Sequence, residues 1–256
     1  MAVRVFRRPG EQDSSEPRLR LFCFPHAGAG AAIFRDWPKH LPDGVEIACP
    51  CLPGRDARAG EPPISQMAPL ARDLADDIAS LIDRPYALYG HSLGAFVAFD
   101  LANELVRRGL PPPTRLLAAG QRGPSLPYPL DPIYHLPEEA FLAAVRRRHN
   151  AIPEAVLADK AMMAYLARLL RADFTLVEAY RHQAGERLNC PITAFGGLDD
   201  PGIAREQLEA WARETTGACT IRMVSGGHFF PQTNQAGFLA ELSAQLEPSE
   251  RPEPGR

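Results

Sequence analysis

The 256-residue sequence has no excess of positive charge: 28 Lys and Arg stand against 31 Asp and Glu, a formal net charge of −3. A protein that tracks phosphates along a nucleic acid needs a basic face, so no nucleic-acid partner is expected. Nowhere do 18 apolar residues run together, which leaves no membrane-spanning helix and no membrane partner among the expectations. The opening stretch, MAVRVFRRPGEQDSSEPR, has neither a continuous apolar segment nor a small-residue cleavage site, so no secretory leader is expected. The five cysteines (Cys23, Cys49, Cys51, Cys190 and Cys219) form no Cys-x-x-Cys pair, and their odd number closes no disulfide framework. A reducing, cytoplasmic setting follows. Cys49 and Cys51 would share one side of a strand, but no further ligands accompany them, so they read as core residues and no metal site is expected. Lysine is scarce too, with only Lys39 and Lys160, so arginine carries nearly all of the positive charge.

What is present suits one globular α/β domain: 45% hydrophobic and 23% charged residues, with 26 prolines to fix turns. Residues 1–18 and 247–256 are polar and rich in Pro, Glu and Arg, and read as poorly ordered ends around a domain at 19–246. Inside it, short apolar runs recur at Leu19–Phe24, Val45–Pro50, Tyr86–Tyr89, Leu116–Ala119, Ile192–Phe195 and Thr220–Val224, and read as buried strands. Helical spacing fills the gaps. Met67, Leu70, Leu74, Ile78 and Leu81 mark one helix, with Ser65 available as its N-cap, and Leu93 to Val106 mark another that stops at Arg107-Arg108-Gly109. The alternation of strand and helix predicts a mainly parallel sheet covered on both faces. From about Gly123 to Glu186 the alternation breaks. Two helical patterns, one from Leu136 to Arg148 and one from Pro153 to Tyr180, predict a helical insertion that lies over a site as a lid.

The chemistry concentrates at the ends of strands. Gly90-His91-Ser92-Leu93-Gly94 follows one strand directly and opens a helix, the context of a nucleophile elbow that pushes a serine hydroxyl out at the carboxyl edge of a sheet. A serine needs a base. His228 follows the last strand through Ser225-Gly226-Gly227 and lies C-terminal to the serine, the chain order of an α/β-hydrolase. His40, His149 and His182 lie in polar contexts, and His26 and His91 can line the site without acting as base. The imidazole in turn needs a carboxylate, and Gly196-Gly197-Leu198-Asp199-Asp200-Pro201 follows the Ile192–Phe195 run; Asp200 is preferred and Asp199 remains the alternative. Oxyanion donors are expected from the amides of Leu93, after the nucleophile, and Ala27, in the loop Phe24-Pro25-His26-Ala27-Gly28-Ala29-Gly30. Gly28 and Gly30 form a Gly-x-Gly, but position 33 is Ile33, so the dinucleotide fingerprint fails.

With these residues placed, the chain from about Leu21 to Pro231 resembles the type II thioesterases that accompany polyketide and non-ribosomal peptide synthetases. The resemblance rests on the Phe24–Ala29 loop, on Leu52-Pro53-Gly54-Arg55 with Arg58 and Glu61-Pro62, on the Ser92 elbow, on Leu136-Pro137-Glu138-Glu139 and Leu170-Arg171-Ala172-Asp173-Phe174, and on Gly226-Gly227-His228-Phe229-Phe230. The loop departs from the family at Ala29, where a second consecutive glycine is commoner. The resemblance implies a cytoplasmic, monomeric, free-standing hydrolase that removes acyl groups from the phosphopantetheine arm of acyl or peptidyl carrier proteins, with no cofactor of its own. A carboxylester hydrolase, a lipase or a product-releasing thioesterase would use the same three residues. The run Arg146-Arg147-Arg148 reads first as a solvated helix face; docking of an acidic carrier domain is the alternative, for which it is the first place to test.

Overall fold

A computed structural model describes residues 2–7, 16–149, 159–182 and 187–247. The apolar runs are strands: β1 (Val3–Phe6), β2 (Leu19–Phe24), β3 (Val45–Pro50), β4 (Tyr86–His91), β5 (Leu116–Ala119), β6 (Ile192–Gly197) and β7 (Cys219–Val224). They join one seven-stranded sheet in the order β1-β3-β2-β4-β5-β6-β7. Every pairing is parallel except that of β1 with β3. Strands β2 to β6 are buried along their whole length, as strands covered on both faces must be. The α/β-hydrolase architecture inferred from the alternation is the one observed.

Side chains alternate between two cores. Phe22, Phe24, Leu88, Leu116, Ala118 and Ile192 enter one face, covered by α1 (Met67–Ile78) and α2 (Leu93–Arg107). Leu21, Cys23, Tyr89, Leu117 and Phe195 enter the other, under Phe34, Trp37 and the helix near the C-terminus, Gln235–Leu246. On that side the Trp37 ring lies 5.0 Å from Tyr89 and 5.7 Å from Phe238, so three large rings close the layer. Between β5 and β6 the chain leaves the sheet and forms α3 (Glu138–His149) and α4 (Lys160–Glu178). Asp159 caps α4, accepting the amides of Ala161 and Met162. Ile133, Phe141, Val145, Leu170 and Phe174 make a third, smaller core that packs on Ala27.

The structure corrects two readings. Val3–Phe6 falls in a stretch whose composition suggests a poorly ordered end, yet it forms β1, with Val3 opposite Pro50 and Phe6 opposite Ile47. Four residues carry little pattern of their own; the open edge of β3 supplies the partner, and Arg7 binds Glu46 at 2.7 Å. Ser65 is not the cap of α1, which starts at Met67 behind Gln66 with no side-chain cap bond. The helix read from Pro153 starts, within the described residues, at Lys160; residues 8–15, 150–158, 183–186 and 248–256 lie outside them.

The strand order sets the position of the site. After β2 the chain adds β3 on one side, then returns to add β4 on the other, so the loops that leave β2 and β4 diverge at a topological switch point. Leu88, fully buried on β4, supports that edge from below. Leu88→Ala is expected to cost about 2–5 kcal/mol in urea unfolding while the geometry at the strand ends persists.

Candidate active site

β4 ends at His91 and α2 begins at Leu93, so Ser92 alone turns the chain. It does so at φ 55° and ψ −116°, a backbone conformation that costs about 1–3 kcal/mol for a residue with a side chain. Two glycines make the turn possible. A Cβ on Gly90 would strike the Gly94 carbonyl, and one on Gly94 would strike the Phe24 carbonyl. The Ser92 amide donates to the Ala119 carbonyl at 2.8 Å, which fastens the elbow to the neighbouring strand.

His228 and Asp200 arrive from the ends of β7 and β6. The Ser92 hydroxyl lies 3.1 Å from His228 Nε2, and His228 Nδ1 lies 2.8 Å from Asp200 Oδ2. An ionised carboxylate only accepts, so Nδ1 carries the ring proton and Nε2 is free to accept from the serine. Burial works to raise the Asp200 pKa, but the hydrogen bonds from His228 and from the Gly202 and Ile203 amides prevail and hold it below the usual carboxylate range. Asp199 is exposed, and Asp200, the acid preferred from the sequence, is the one that meets His228. A Cβ on Gly120 would meet the His91 ring at 3.1 Å, which keeps the loop after β5 slim where it passes the imidazoles.

His91 has a place that its sequence context does not reveal. It is fully buried, and its Nε2 donates to the backbone carbonyl of His228 at 2.9 Å. Its Nδ1 is buried with no partner among the described residues. A second proton there would be unpaired, and His26 and His228 stand close by; burial first, then these neighbours, pushes the His91 pKa well below its ordinary value. His26, whose ring centroid is 5.4 Å away, is lowered as well, again chiefly by burial.

The loop after β2 supplies the opposite wall. The Gly28 amide donates to Asp173 Oδ2 at 2.7 Å, and the Ala29 amide to the His26 carbonyl at 3.2 Å. The Ala27 amide makes no such bond among the described residues. Leu93, as the first residue of α2, has no intrahelical partner for its amide. These are the two amides that the sequence points to.

The thioesterase-domain family model matches residues 19–246. The chain belongs to the thioesterase family. It is 38% identical over 233 residues to the gramicidin S biosynthesis protein GrsT of Aneurinibacillus migulanus, covering 91% of each chain. Among solved structures it is similar to RedJ, a thioesterase of the prodiginine pathway of Streptomyces coelicolor, with 35% identity, a TM-score of 0.81 and 93% and 97% of the two chains covered. It is likewise similar to BorB, a type II thioesterase of the borrelidin cluster, with 28% identity, a TM-score of 0.82 and coverage of 96% and 97%. The resemblance drawn from the motifs therefore holds, and the thioesterase is a hydrolase of thioesters. Among its described residues no helix is long and apolar enough to cross a membrane.

The motifs contain Arg55 and Asp173 but do not connect them: they form a buried ion pair against the Ala27 loop. The signal was a lone acid between Leu170, Phe174 and Leu176 on an otherwise apolar helix stripe.

The histidines predict a pH dependence of stability. Because the folded-state pKa of His91 is depressed, the unfolded chain binds a proton below about pH 6.5 that the folded chain does not. The contribution is complete well above that pH and is lost progressively as pH falls below it toward the depressed folded-state pKa. His91→Gln, which keeps a donor for the His228 carbonyl, is expected to flatten the acid side of a urea-derived stability profile by up to about 1.4 kcal/mol per pH unit.

Proposed function

We propose that Ser92, His228 and Asp200 hydrolyse acyl thioesters through an acyl-serine intermediate. The observation that carries the reading is the continuous path from Ser92 Oγ to His228 at 3.1 Å and from His228 to Asp200 at 2.8 Å. His228 Nε2 takes the serine proton as Oγ attacks the thioester carbonyl, and the Ala27 and Leu93 amides hold the oxyanion. Collapse of the tetrahedral species breaks the carbon–sulfur bond, and the proton held by His228 passes to the departing thiol. Water then gives a proton to the same nitrogen, attacks the acyl-serine and releases a carboxylic acid, returning the serine its proton. The sum is thioester plus water to acid plus thiol, with no metal or cofactor in any step. Asp200 stays ionised throughout and keeps Nε2 turned toward the serine.

The substrate class follows from the relatives. GrsT, RedJ and BorB are named for peptide and polyketide pathways, and BorB for type II thioesterase activity. The thioesterase accordingly removes stalled or misloaded acyl groups from the phosphopantetheine arm of acyl and peptidyl carrier proteins, as a cytoplasmic monomer. Its five cysteines are free, which suits that setting. The docking patch narrows. Arg148 is engaged, with Nη2 donating to the Asp131 carbonyl at 2.9 Å and Nη1 lying 3.5 Å from Glu178, whereas Arg146 and Arg147 are exposed on α3.

Asp200→Asn is expected to lower kcat by about 10³–10⁴-fold, since the amide fixes the wrong imidazole tautomer, while Asp199→Asn stays within about threefold of wild type. The reverse order would transfer the role to Asp199. In a panel of substrates, Arg146→Glu/Arg147→Glu raises KM for carrier-bound acyl groups and spares a small-thiol thioester of the same acyl chain. Equal effects on both would remove the docking surface, and preference for oxygen esters over thioesters would favour a carboxylester hydrolase.

A further inference from the structure

Arg55 lies on the loop after β3 and Asp173 in the middle of α4, 118 positions later, yet their side chains are only 5% and 1% exposed and meet in two parallel contacts. Arg55 Nη1 lies 2.9 Å from Asp173 Oδ2, and Nη2 lies 2.6 Å from Oδ1. Both partners continue onto the same turn. Asp173 Oδ2 accepts the Gly28 amide at 2.7 Å, and Arg55 Nη1 donates to the Ala29 carbonyl at 3.0 Å. Gly28 itself sits at φ +78°, and a Cβ there would come within 2.8 Å of Leu170 on the same helix. One peptide N–H and the next residue's carbonyl are thus gripped from two sides, one residue after the amide assigned to the oxyanion.

A buried ion pair is weak evidence for stability, because desolvating two charges offsets most of their attraction. This pair has a second effect. A carboxylate beside a site where negative charge develops would oppose the reaction, and the bidentate guanidinium cancels that charge while Oδ2, already paired with Nη1, also accepts the Gly28 amide. We propose that Arg55 and Asp173 are positioning residues of the oxyanion loop: together they orient the Ala27 amide from the lid helix without adding net charge to the site. The proposal rests on the assignment of Ala27 as an oxyanion donor. It also ties the middle of α4 to the catalytic loop, so that this part of the insertion moves only with the loop.

The experiment compares wild type, Arg55→Met, Arg55→Lys and the double variant Arg55→Met/Asp173→Asn. It measures kcat and KM on a small-thiol thioester, the affinity of a matching trifluoromethyl ketone that forms a tetrahedral oxyanion on serine, and thermal melting. Arg55→Met leaves an unpaired carboxylate, and is expected to lower kcat and ketone affinity in parallel by about 10–100-fold, with KM within about twofold. The double variant keeps an acceptor for the Gly28 amide without a charge, and recovers most of that loss even though it lacks the ion pair. Arg55→Lys, which keeps the charge but not the fork, falls between, and decides the question if Arg55→Met does not fold. Variants that melt earlier but keep wild-type kcat and ketone affinity would overturn the proposal, as would single and double variants that lose activity equally. A wild-type enzyme that binds the ketone no better than substrate would instead overturn the oxyanion assignment on which the proposal rests.

Discussion

The single-residue turn at Ser92 is the constraint around which the rest is arranged. A side-chain-bearing residue at φ 55° is held there because the strand before it and the helix after it leave no other path, and because Gly90 and Gly94 let the two approach. The amide chain then spreads sideways across the sheet edge. Ser92 donates to Ala119 at the end of β5, Gly120 donates to Phe195 in β6, Leu198 donates to Val224 at the end of β7, and Asp199 donates to Gly226 just beyond it. Each loop that carries a reactive group is therefore fastened to the neighbouring strand, and the serine, carboxylate and imidazole meet as a consequence of sheet order. The fastening is made of backbone, so it transmits position without requiring particular side chains between the reactive ones.

Electrostatics at this edge follows one pattern: buried charge stands beside a partner, and burial disfavours the charged forms of His26 and His91. Asp200 is ionised because His228 and two amides favour the anion over the penalty of burial. Asp173 is paired with Arg55. Among the described residues no acid pairs with His91 to hold a second proton, so it remains a neutral donor to the carbonyl of His228, the proposed base. The result is a site with little uncompensated charge before reaction, beside the Ala27 and Leu93 amides proposed to take the oxyanion.

Much of this was legible in the sequence, and the reasons differ from element to element. The strands β2 to β6 are buried on both faces, so they appear as unbroken apolar runs, and the reactive residues follow such runs directly. That placed Ser92, His228 and the Asp199–Asp200 pair at one edge. Of the two acids the sequence prefers Asp200 and keeps Asp199 as the alternative, because which of them turns inward depends on the fold, where Asp199 is exposed and Asp200 meets His228. The strand β1 was hidden because its order comes from β3 rather than from its own four residues. Arg148 looks like part of a solvated run, but Asp131 and Glu178 fold back onto it from distant positions. The Arg55–Asp173 pair was hidden by separation: each residue stands in a visible motif, and only the packing of α4 on the loop after β3 joins them.

The account depends on Ser92 carrying the acyl group between two half-reactions. Peptide mapping by mass spectrometry, after a millisecond exposure of the enzyme to an acyl thioester and an acid quench, tests this most directly. The account predicts the acyl mass on the peptide that contains Ser92, present at short times, cleared as substrate is exhausted, and missing in Ser92→Ala. An acyl adduct on another residue, or turnover by Ser92→Ala at the wild-type rate, would contradict it.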